Sequence, residues 1–144
     1  MKRIAGCVSA IKNAGISVPK SHIKYCNFQR ERALSAVMEL LNSANPPDAF
    51  FSVNDRGAIE IIKLLEERGL KVPEQIGVAG FGNEPMSSYI FPSLTTIVQH
   101  PFNLGELAAE IIIQEITAEV PVKIQNHIIN PELIVRKSTL RQGT

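Results

Sequence analysis

Apolar positions along the chain switch between a helical and a strand period. Ile4, Cys7, Val8 and Ile11 recur at i, i+3, i+4 and i+7, the spacing of one helix face. Gly15 stands where a left-handed C-terminal cap belongs, and Pro19 follows it. The stretch HIKYCNF, residues 22–28, alternates at Ile23, Tyr25 and Asn27 and predicts a strand ending at Phe28. Ala33, Val37, Leu40 and Leu41 predict a second helix, closed by the turn chemistry of 42–47. DAFFSV at 48–53 is a short apolar run, the form of a strand buried on both faces. Ala58, Ile61, Ile62 and Leu65 make a third helix that stops at Gly69, and IGVAGF at 76–81 is another buried strand.

After Phe81 the rhythm changes. Residues 82–85 are a loop, Met86 to Tyr89 form a short helix, and LTTIVQ at 94–99 has strand composition. Asn103 with Glu106 three residues on is a helix-start signature, and Leu104, Leu107, Ala108, Ile111 and Ile112 line one face of the helix to Thr117. Val122 to Asn130 is extended, and Leu133 to Arg136 is a last strand. Helices alternating with short hydrophobic strands imply parallel βαβ units, an α/β fold with helices on both faces of the sheet.

In such a sheet, ligands bind beyond the carboxyl ends of the strands. That rule selects Phe28, then Asn54 and Asp55, then Gly82, Asn83 and Glu84: a ring, amides and carboxylates on one rim, suited to a small polar molecule. Each has a plainer role available. Phe28 can be core, Asn54 or Asp55 can be the cap of the third helix, Gly82 can serve a turn, and Glu84 can be a solvated loop residue.

Composition narrows the function classes. A formal charge of +1 gives no field for a polyanion, and no helix-turn-helix, zinc-finger or basic-zipper pattern occurs, so the chain alone is not expected to bind DNA. Cys7 and Cys26 are expected as free buried thiols, and the scattered His22, His100 and His127 lack metal-ligand spacing; no metal and no cofactor is expected. No run approaches a membrane span, and the opening residues lack the apolar core of a signal peptide, so the expected compartment is the cytoplasm. No nucleophile–base pair and no complete phosphate-binding loop can be drawn from the spacing, so no enzyme is expected.

Six phrases in order carry a resemblance: RIAG at 3–6, PDAFFSVND at 47–55, GLKVP at 69–73, IGVAGF at 76–81, PSLTTIVQ at 92–99 and ELIVRKST at 132–139. Together they resemble the effector domain of LacI/GalR-family transcriptional regulators across essentially the whole chain. The resemblance implies an incomplete three-layer, periplasmic-binding-protein-like fold, mostly its C-terminal lobe. Residues 1–98 would form that lobe, 99–130 would belong to an absent N-terminal lobe, and 131–144 would return. It implies a homodimeric regulator that binds DNA through an N-terminal domain this chain lacks. A small-molecule effector in the interlobe cleft would control that binding. Position by position, the resemblance assigns effector contact to Arg3, Phe28, Asn54 and Gln99. The family's frequent aspartate after the Gly-aromatic pair is Gly82 here, so Asn83 or Glu84 would replace it or the contact is missing. A sugar or sugar acid is expected ahead of a purine. The alternative, a periplasmic-type solute-binding protein, shares the fold.

The same resemblance places the helix ending at Thr117 against the absent lobe. Burial of its five apolar side chains is worth on the order of 5–10 kcal/mol, so the face is expected to find another partner.

Overall fold

The computed structural model describes residues 2–118, 120 and 124–141. Helix α1 spans Lys2–Asn13, a 3-10 turn follows at Lys20–His22, and α2 spans Arg30–Leu41. Strand β1 (Ala49–Phe51) leads through α3 (Asp55–Glu67) to β2 (Gly77–Ala79). Then come α4 (Met86–Tyr89), β3 (Thr96–Val98), α5 (Pro101–Thr117) and β4 (Glu132–Ile134).

β1 and β2 pair in parallel with Phe50 opposite Val78, the arrangement expected of a strand–helix–strand unit. A parallel bridge from Ala79 to Thr95 extends the pairing, and β3 turns antiparallel against β4. The core lies between α2, α3 and β2. Val37, Leu40, Ala58, Ile61, Ile62, Leu65, Ile76, Val78 and Leu94 are buried there, with Ala58, Leu65, Val78 and Leu94 at 0% exposure. The stripes expected of the second and third helices are thus the ones that pack; Arg30 adds an exposed ion pair to Glu60 at 2.9 Å between α2 and α3.

Helices α1 and α3 end alike. Gly15 and Gly69 adopt φ of 76° and 69°. Their N–H groups donate to Lys12 and Glu66 carbonyls, while Ile16 and Leu70 donate five residues back to Ile11 and Leu65. This double bond satisfies the last carbonyls, and its left-handed residue is the reason for glycine there.

Four expectations fail. Strand β1, expected to be buried on both faces, leaves Ala49 exposed and Phe50 and Phe51 half-buried. HIKYCNF forms no strand: residues 23–26 carry no regular structure, and Asn27 and Phe28 take left-handed φ of 49° and 58° in a turn closed by Gln29 N–H to Cys26 O at 2.9 Å. Two consecutive positive-φ residues end an extended run, so only two of the three expected parallel strands exist. The α5 start is also displaced. Pro101, with its fixed φ and missing N–H, takes the first helical position, so Asn103 and Glu106 lie inside the helix and form no capping box. The carbonyl of His100, itself at φ 49°, accepts from Leu104 N–H at 3.0 Å. The thiols, finally, are free but only half-buried. Of the extended stretch at 122–130, residues 122 and 123 lie outside the described residues; 124–130 carry no regular structure.

Helix α5 buries no residue. Leu104 and Ile112 are 55% and 56% exposed, Leu107 and Ile111 are half-buried, and Ala108 is exposed. Among the described residues no helix is long and apolar enough to cross a membrane.

Candidate functional site

The carboxyl ends of β1 and β2 carry Val53, Asn54 and Asp55 on one side and Gly80 to Glu84 on the other. Asn54 is the N-cap of α3: with extended φ and ψ of −149° and 159°, its side-chain oxygen accepts from Gly57 N–H at 2.7 Å. The plainer role therefore occupies one end of its amide.

Asp55, the first residue of α3, has 0% exposure. One carboxylate oxygen accepts from Thr96 Oγ1 at 2.5 Å and the other from Glu84 N–H at 2.7 Å. Helix N-terminal position and two donors together make a buried charge tolerable. A Cβ on Gly80 would collide with Asp55 Oδ1 and lie 2.9 Å from Leu94, which explains glycine at that position. Asp55, expected on the ligand rim, thus joins α3 to β3 and the 82–85 loop, and its carboxylate faces no solvent.

Asn83 is likewise drawn inward. Its backbone N–H donates to Thr96 Oγ1 at 3.2 Å, and its side-chain oxygen accepts from Arg136 Nη2 at 2.8 Å. The same guanidinium donates to Ser87 Oγ and Leu94 O, both at 2.9 Å. Beneath it, Ser138 Oγ donates to Val78 O at 2.6 Å and accepts from Thr95 N–H at 2.8 Å, tying the C-terminal segment to β2 and β3. Every buried side-chain N or O among the described residues has a partner.

Arg3 reaches this rim from α1. Its Nη1 donates to Val53 O at 2.7 Å, its Nη2 to Gln99 Oε1 at 3.1 Å, and its guanidinium lies 4.0 Å from the Phe81 ring centroid. The planar cation thus rests on an aromatic face between the ends of β1, β2 and β3 and stays exposed. Arg3, Gln99, Asn54, Asn83 and Glu84 are gathered here. Phe28 is not joined to them by any hydrogen bond or ring contact among the described residues; the residue is 81% exposed on its own turn.

Sequence reasoning missed Phe81, Thr96 and Arg136. Phe81 was legible as an aromatic at a strand end, and Arg136 as the charge that closes the apolar run 133–135. Nothing in the spacing foretold that Thr96 would meet Asp55. Two surface concavities lie away from the rim, one near Met38, Asp48 and Gln75 and one near Val72, Phe91 and Leu140.

The periplasmic binding protein-like domain family matches residues 2–139. The HTH-type transcriptional repressor PurR of Photobacterium profundum is 35% identical over 142 residues, covering 95% of this chain and 41% of PurR. A regulatory protein of the LacI family from Chloroflexus aggregans superposes with a TM-score of 0.84 at 27% identity, covering 95% of this chain and 49% of that one. The transcriptional regulator CelR, solved with cellobiose, superposes with a TM-score of 0.82 at 27% identity, covering 94% and 41%. The chain spans about 40% of the length of the PurR relatives it matches. It belongs to the periplasmic binding protein-like domain family, with LacI- and PurR-type transcriptional regulators as its relatives.

Proposed function

We propose that this chain is the effector-sensing portion of a LacI-type transcriptional regulator. The carrying observation is the exposed Arg3 guanidinium, held by Val53 O, Gln99 and the Phe81 face at the carboxyl ends of the parallel strands. There a small molecule would close against Arg3, Asn54, Gln99 and the 82–84 loop, with Phe28 as a solvent-side ring. Residues 1–98 and 131–144 would form one lobe, and the exposed face of α5 fits the assignment of 99–130 to a second lobe. Effector binding would alter the angle between lobes and so DNA binding by a longer, homodimeric protein in the cytoplasm. The chain itself performs no catalysis in this reading. Its relatives are regulators, which favours this reading over a transport solute-binding protein.

A thermal-shift screen of sugars, sugar acids and purines tests the proposal. A stabilising ligand is expected, and Asn54→Ala or Phe28→Ala should remove its effect. Retained stabilisation in both variants would place the site elsewhere.

A further inference from the structure

We infer that the ligand of this rim is a small anion, a polyhydroxylated carboxylate or phosphate ester, rather than a neutral sugar or base. The inference rests on the effector-site reading above and adds the ligand's charge.

The acceptors at the strand ends are turned inward. Asp55 gives both carboxylate oxygens to Thr96 and Glu84 N–H and has no exposed surface. Asn83 gives its side-chain oxygen to Arg136, and Asn54 gives its own to the start of α3. Between them stands Gly82, at φ 138°, where an acidic side chain would be strained and is absent. A Cβ there would come no closer than 3.8 Å, an ordinary contact with the Asp55 carboxylate, so glycine at this position relieves no clash.

Donors remain outward. The Arg3 guanidinium carries five N–H groups, of which Val53 O and Gln99 engage two, and its planar fork matches carboxylate or phosphate oxygens. Gln99, whose side-chain oxygen takes one of those bonds, stands beside it, and Asn54 directly follows Val53, whose carbonyl takes the other. A neutral sugar needs acceptors for its hydroxyl protons, and this rim has used most of its own. Glu84 is the one exposed carboxylate of the loop. Beside an anion its charge opposes binding, whereas for a neutral sugar it would be the missing acceptor. The two ligand classes therefore give opposite signs for one substitution.

The test titrates the 15N-labelled chain with gluconate, glucose 6-phosphate, glucose and hypoxanthine, following the side-chain signals of Arg3, Asn54 and Gln99. At least one anion should bind tenfold or more tightly than glucose, and less tightly as salt rises. Arg3→Gln should weaken it tenfold or more, Arg3→Lys less, and Glu84→Gln should tighten it several-fold. Gluconate against the phosphate separates the two anionic groups. Equal or tighter binding of glucose or hypoxanthine, or weakening by Glu84→Gln, would overturn the charge assignment and leave the site standing. Binding that moves none of the three side chains, or no binding by any of the four, would overturn both.

Discussion

Replacing Asp55 with Asn is the sharpest test of the architecture beneath the rim. The change is nearly isosteric, so it leaves volume intact and alters only donors and acceptors. Glu84 N–H needs an oxygen, which orients the new amide with its NH2 toward Thr96. Thr96 Oγ1 already accepts from Asn83 N–H, and its own proton then loses the acceptor it had. Leaving one buried hydroxyl unsatisfied costs about 1–3 kcal/mol. Removing a negative charge from the first turn of α3 costs a further ~0.3–1 kcal/mol. The expected loss is about 2–3 kcal/mol by urea unfolding, a Tm fall of roughly 4–12 °C for a chain of this size. Thr96→Val removes the same hydroxyl from the other side, so the double variant should cost clearly less than the sum of the singles. A single Asp55→Asn change within about 0.5 kcal/mol of the parent, the scatter of ordinary surface substitutions, would refute the reasoning.

Other consequences follow from named contacts. Arg136→Met removes the donors to Asn83, Ser87 and Leu94 and should speed amide exchange at Asn83 and Ser87 about tenfold or more while leaving α2 unchanged; uniform acceleration would mean global destabilisation instead. Burial pushes the Cys7 thiol above its ordinary range, so at pH 8 it should alkylate more slowly in the folded chain than in urea. Because the unfolded thiol ionises first, this group lowers stability as pH rises above the ordinary thiol value, and Cys7→Ala should lessen that alkaline loss. The exposed apolar face of α5 should drive concentration-dependent association in sedimentation velocity, reduced by Ile112→Glu; a strictly monomeric chain at high concentration would contradict it.

Much of this fold was legible because its signals are local. The stripes of α2 and α3, the terminating glycines at 15 and 69 and the two apolar strands each depend on residues within a few positions. The failures are equally instructive. Tyr25 and Ile23 alternate like a strand, yet a strand exists only if a neighbour offers its edge, and the left-handed turn at Asn27 and Phe28 cuts the run short. Asn103 and Glu106 spell a cap, but Pro101 two residues earlier is the better helix start. At the rim, position along the strand brought Asn54, Asp55, Asn83 and Glu84 to the same strand ends but misplaced Phe28. It could not say which way each side chain turns. That is decided by Thr96 and Arg136, 41 residues beyond Asp55 and 53 beyond Asn83 respectively.

The central claim, that a small molecule seats at the carboxyl ends of β1 and β2, is tested most directly by a crystal structure of the chain with a stabilising ligand from the thermal-shift screen. The account predicts ligand density against Arg3, Phe81 and Asn54. Density at the opposite strand ends, in the concavity by Asp48 and Gln75, would contradict it.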